Sequence, residues 1–148
     1  MRVFLDTNVL ASAAATRGLC ADVLREVLTC HELIVAEQVF AELQRVLRTK
    51  FRIPGELIDD FIWLLRQDTI LAAPVRALAT ALRDKDDSHL LAAALAGGAE
   101  VFVTGDKELL GLGHVESMQI VSPRQFWEGL KTPRKPRPGR GKPRPGHG

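Results

Sequence analysis

The 148 residues suit one domain with room for a proper core, and no apolar run approaches the roughly 20 residues of a membrane span, because charges interrupt every candidate. The formal net charge of +2 hides an asymmetry: seven of the 20 Lys and Arg (Lys131, Arg134, Lys135, Arg137, Arg140, Lys142, Arg144) fall in residues 131–148, which hold no acid, leaving 13 basic against 18 acidic residues, net −5, in 1–130. An acidic domain with a basic tail is the reverse of a protein that grips nucleic acid with its whole surface.

In chain order, Val3-Phe4-Leu5 is a short apolar run ending in Asp6, read as a buried strand and not as a signal peptide. Leu19, Val23, Leu24, Val27 and Leu28 recur at helical spacing, and Leu33-Ile34-Val35 is a second strand. From Ala36, the positions Val39, Phe40, Leu43, Val46 and Leu47 step by three and four, an amphipathic helix that Pro54 is expected to stop. Leu57, Ile58, Phe61, Ile62 and Leu65 mark another helix, and 69–72 suits a strand. A helix from about Asp86 to Ala96 is closed by Gly97-Gly98. Val101-Phe102-Val103 reads as a strand, Lys107–Leu110 as a short helix, Gln119–Val121 as a last strand, and 123–130 as a last helix opened by proline. Short apolar strands alternating with helices predict an α/β fold, a three-layer α/β/α sandwich around a mainly parallel sheet, over residues 1–130. Residues 131–148, almost all Pro, Gly, Lys and Arg, are expected to be a disordered basic tail, either a nonspecific RNA tether or a solubilising extension. Cys20 and Cys30 form no CxxC and are read as buried or half-buried thiols of a cytoplasmic protein. Trp63 and Trp127 fall in apolar helical phase and are read as core.

In open α/β sheets the active crevice lies beyond the carboxyl ends of the strands. Asp6 and Asp106 follow two predicted strands, Asp87 opens a helix, and Glu42 lies inside the helix after the second strand, leaning toward its buried stripe. Singly, each has a plain explanation: an Asp after a strand as turn former or N-cap, Asp84, Asp86 and Asp87 as first-turn acids, Glu42 as a solvated helix residue. Together they gain meaning, because several carboxylates at one crevice repel unless a cation sits between them. Oxygen-only ligands suit Mg²⁺ or Mn²⁺, and no Cys/His spacing suggests zinc.

The stretch VFLDTNVL resembles the opening motif of PIN-domain ribonucleases, AELQRVL resembles the segment carrying the family's helical Glu, and RDKDDSHLLAAALAGGAEVFVTGDKELL resembles its third and fourth motifs. The resemblance spans about residues 2–127 and is nearest to the toxin group of toxin–antitoxin pairs (VapC-like). It implies that Asp6, Glu42, Asp87 and Asp106 are the acidic catalytic and metal-holding set, with Asn8 and Thr104 as supporting polar groups. Asp86 is an alternative to Asp87. It further implies Mg²⁺ or Mn²⁺ as cofactor, hydrolysis of RNA phosphodiester bonds, a cognate antitoxin, a homodimer and no membrane. The basic stretch Arg45, Arg48, Lys50 and Arg52 reads either as a solvated face or as an RNA-contact edge. His89 reads as a surface or packing residue, and the scattered histidines support no triad. Two rivals differ in observable ways. An RNA-processing or repair nuclease would lack a small upstream open reading frame. A noncatalytic metal-binding module like a receiver domain wants an acidic pair near its first strand, whereas this first strand ends in a single Asp.

Overall fold

A computed structural model describes residues 1–73 and 85–131. Its first strand, β1 (Arg2–Leu5), buries Val3, Phe4 and Leu5 on both faces, as expected of a central parallel strand. Helices α1 (Thr7–Ala15) and α2 (Leu19–Cys30) lead to β2 (Glu32–Ala36), and α3 (Glu37–Thr49) and α4 (Gly55–Gln67) lead to β3 (Thr69–Ala72). Helix α5 (Lys85–Ala96) precedes β4 (Val101–Val103), and α6 (Lys107–Leu112) precedes a two-residue β5 (His114–Val115), then β6 (Met118–Val121) and α7 (Pro123–Lys131).

The sheet runs β3-β2-β1-β4-β6-β5, parallel except for the final β5–β6 hairpin. The chain steps outward from β1 to β2 and β3, then returns to build β4 and β6 on the other side of β1. Parallel crossovers are right-handed in nearly all cases, so the two directions place their helices on opposite faces. Accordingly α1, α2, α3 and α4 pack against one another and α7 against α2, while α5 packs on β2 and β3. This is the expected three-layer sandwich. The switch in direction falls between β1 and β4, where a crevice opens beyond the strand ends.

Four local expectations need correction. Helix α3 ends at Thr49, not at Pro54. The chain turns through Arg52 in the left-handed region (φ 54°), and the Ile53 N–H returns to the Leu47 carbonyl. Pro54 instead stands just before α4, and its carbonyl accepts from the N–H groups of Leu57 and Ile58. Trp63 is no core residue. It stands 62% exposed on α4, beside the exposed Leu57 and Leu64, whereas Trp127 packs half-buried against the core. Cys30 is exposed, although Cys20 is half-buried. The basic segment from residue 132 onward, and Asp84, lie outside the described residues.

Candidate carboxylate site

Asp6 is placed by the ladder itself. Its backbone N–H donates to the Val103 carbonyl (2.9 Å), extending the β1–β4 pairing by one residue and fixing Asp6 at the strand's carboxyl end. The backbone there is extended (φ −62°, ψ 156°), and its Oδ1 accepts from the Thr7 N–H (2.7 Å), so Asp6 is also the N-cap of α1. On the neighbouring strand, the Thr104 N–H donates to the Val121 carbonyl (2.9 Å) and fixes Thr104 in the same way. Its fully buried hydroxyl donates to Asp6 Oδ2 (2.7 Å) and accepts from the Asp106 N–H (3.0 Å). One hydroxyl therefore links the ends of β1 and β4. Asp106 in turn caps α6, its Oδ1 accepting from the N–H groups of Glu108 (2.8 Å) and Leu109 (3.1 Å).

Asp6, Asp106, Glu42 and Asp87 line one pocket of about 450 Å³. Glu42 comes from the middle of α3 and is half-exposed, with its carboxylate paired to Arg45 one turn on. Asp87 comes from the first turn of α5 and is half-buried. The exposed Asn8, one residue into α1 past Thr7, also lines the pocket, so the two supporting residues differ: Asn8 faces the cavity and Thr104 lies beneath it. Of the basic stretch, Arg45 alone lines this pocket. Arg48 is exposed elsewhere on α3, the Lys50 ammonium lies over the Phe51 ring (5.7 Å to its centroid), and Arg52 makes the turn after α3. His89 borders an adjacent hollow with Ala36, Gln38 and Ala93. The Asp86 side chain lies outside the described residues. Gln38 also lines the carboxylate pocket and was missed in the sequence, although it stands four residues before Glu42, one turn away on the same face.

The electrostatics follow from the placement. Burial pushes the Asp6 carboxyl above its ordinary range. Hydrogen bonds from Thr104 and Thr7 pull it back, and the charges of Asp106 and Glu42 add to the rise. Crowded acids of this kind are what a bound cation relieves. As they stand, among the described residues, no three or more His, Cys, Asp and Glu side chains come close enough to hold a metal ion. The donor set fits a hard divalent cation in chemistry: it is all carboxylate, it converges on one pocket, and its buried member is hard to ionise alone.

Comparison with known proteins adds to this geometry. The sequence profile of a family described as PIN domain matches residues 2–108. No curated protein matches the chain in sequence. Among solved structures, VapBC2 from Rickettsia felis, bound to a DNA fragment from its promoter, is similar with a TM-score of 0.56 at 14% identity, over 82% of this chain and 98% of that one. At that identity the likeness is one of fold.

Proposed function

This chain belongs to the PIN-domain family, and on that premise we propose that it is a Mg²⁺- or Mn²⁺-dependent endoribonuclease acting as the toxin of a toxin–antitoxin pair. The observation that carries the reading is the convergence of Asp6, Glu42, Asp87 and Asp106 on one pocket at the switch point of the sheet. Asp6, Asp87 and Asp106, with Glu42, are the residues that would hold one or two cations. When bound, the cation lowers the pKa of water and stabilises charge on a phosphate.

The chain's own groups do the rest. Thr104 holds the Asp6 carboxylate and the Asp106 backbone in fixed relation, so two of the acids are preorganised before any substrate arrives. The amides of Asn8 and Gln38 offer hydrogen-bond donors to phosphate or ribose oxygens at the pocket wall, and Arg45 offers a cation at its rim. Water attacks phosphorus, the ester P–O bond opposite breaks, and the carboxylates take up the released proton. The substrate is single-stranded or looped RNA. A cognate antitoxin is the expected partner, a reading supported by the shared fold of the VapBC2 complex, and a homodimer is the expected active form.

Cleavage of single-stranded RNA with Mn²⁺, with and without EDTA, tests this. Asp6→Asn and Asp87→Asn should abolish cleavage and keep the wild-type circular dichroism, because Asn keeps the shape and removes the charge. Cleavage at the wild-type rate by either variant, or wild-type activity indifferent to EDTA, refutes the assignment.

A further inference from the structure

A second cavity, of about 440 Å³, lies between α3 and α4 and is used by nothing described so far. Phe40, Ile62 and the exposed Trp63 give it apolar walls, and Glu37 and Asp59 stand on its rim. Arg66 lies 4.2 Å above the Phe40 ring and is held by two hydrogen bonds of 2.9 Å to Glu37, so that acid is already answered. Glu56, Asp59 and Asp60, all exposed, bring three further carboxylates to α4. A wide indole left in water beside carboxylates calls for an occupant that is both apolar and cationic.

The acidic rim disfavours RNA, whose phosphates it would repel, and it disfavours a second copy of a domain that carries net −5 over residues 1–130. One segment of the chain has the complementary chemistry. Residues 132–148 contain Pro133, Pro136, Pro138, Pro143 and Pro145 with six Lys and Arg and no acid. Proline fixes φ and favours an extended polyproline helix, the conformation that aromatic-lined grooves take up, while arginine stacks on indole. The segment also reaches. Helices α7, α2, α1, α3 and α4 pack in that succession, so the groove lies about 30–40 Å from α7 at 8–10 Å per neighbouring pair. Seventeen residues at about 3.1 Å each span roughly 50 Å.

We propose that the Pro- and Arg-rich segment 132–148 docks in the groove between α3 and α4, its prolines against Trp63 and its cations against the carboxylates of α4. The occupied groove flanks the carboxylate pocket, because α3 presents Glu37, Ala41 and Gln44 to the one and Gln38, Glu42 and Arg45 to the other. The docking is independent of catalysis.

Trp63 is the reporter. In the full chain carrying Trp127→Phe, acrylamide quenching of Trp63 is measured at 0.01 M and 1 M NaCl, where the screening length falls from about 30 Å to about 3 Å. The same is done with the six tail cations replaced by Gln. Docking predicts quenching about twofold weaker at low salt with the native tail than with the neutral one, and no difference at high salt. Glu56→Gln/Asp59→Asn/Asp60→Asn should behave like the neutral tail. If Trp127→Phe disturbs folding, the difference between wild type and Trp63→Phe gives the same signal. Equal quenching of native-tail and neutral-tail proteins at low salt overturns the proposal. So does shielding that survives in the neutral-tail protein and grows with protein concentration, which would mark a second copy as the occupant.

Discussion

Thr104 is small, fully buried and bonded on both sides, so its replacement separates structure from chemistry at the candidate site. Thr104→Val keeps the volume but leaves the Asp106 N–H without an acceptor and Asp6 Oδ2 without a donor. The expected cost is about 1–3 kcal/mol, with RNA cleavage lost well beyond that loss of stability, and Thr104→Ser should restore most of both. Chemical denaturation beside a cleavage assay checks it, and a Val variant with wild-type cleavage would remove Thr104 from the site. Asp6 supplies a pH test. Its folded-state carboxyl holds a proton to higher pH than the unfolded chain does, where the value is about 4. The stability it contributes is complete below that value and is lost as pH rises through the raised folded pKa. Asp6→Asn lacks this dependence, so its melting temperature relative to wild type should rise between pH 4 and pH 7. An unchanged difference would mean that burial leaves Asp6 as easily ionised as in the unfolded chain. The sequence made Asp6 and Asp106 legible as acids after strands but offered capping and chemistry as alternatives. The structure shows them capping α1 and α6 while lining the pocket, so the plain reading does not exclude the other.

At the scale of elements, the tightest joint is where α5 meets the sheet. A Cβ on Gly97 would lie 2.7 Å from Ile34 Cγ2 of β2 and 3.5 Å from the Ala72 side chain of β3. Gly97→Ala should therefore push α5 off both strands and cost about 1–3 kcal/mol, read as a lower denaturation midpoint at unchanged slope. A midpoint at or above wild type would mean that Ile34 turns aside freely. Most elements were legible because their apolar residues repeat with one clear period. Helix α1 was not: Thr7–Ala15 is Ala-rich, and small side chains give little contrast between faces. The two-residue β5 exists only by pairing antiparallel with β6, a tertiary fact with no local period. Helix α4 misled for another reason. It is apolar on more sides than the core can cover, so phase alone could not tell the buried Ile58 and Leu65 from the exposed Leu57, Trp63 and Leu64. Gln38 escaped notice because a glutamine on a helix carries no signal until its neighbours in space are known.

For the molecule as a whole, a cation at the carboxylate pocket should act as a staple. Binding only the folded form adds about 2.7 kcal/mol at 100 times the dissociation constant. In a domain of this size that raises the melting temperature on the order of 10 °C. Melting in EDTA and in millimolar Mn²⁺ should show that gain in wild type and a smaller one in Asp106→Asn. Identical curves with and without Mn²⁺ for both proteins would reduce the four acids to helix caps and first-turn residues.

The hydrogen bond from Thr104 to Asp6 joins residues 98 positions apart. During synthesis at about 5–20 residues per second, Asp6 therefore waits several seconds for its partner strand. Until β4 emerges, β1 has neighbours on one side only, and no nascent fragment holds both halves of the pocket. A chain interrupted anywhere before residue 101 should be inert toward RNA however well its first half folds. Ribosome-bound chains of increasing length, assayed for cleavage, should gain activity only once β4 and Asp106 have left the exit tunnel. If the proposed activity is toxic, the order of strands itself delays the hazard until translation is nearly finished.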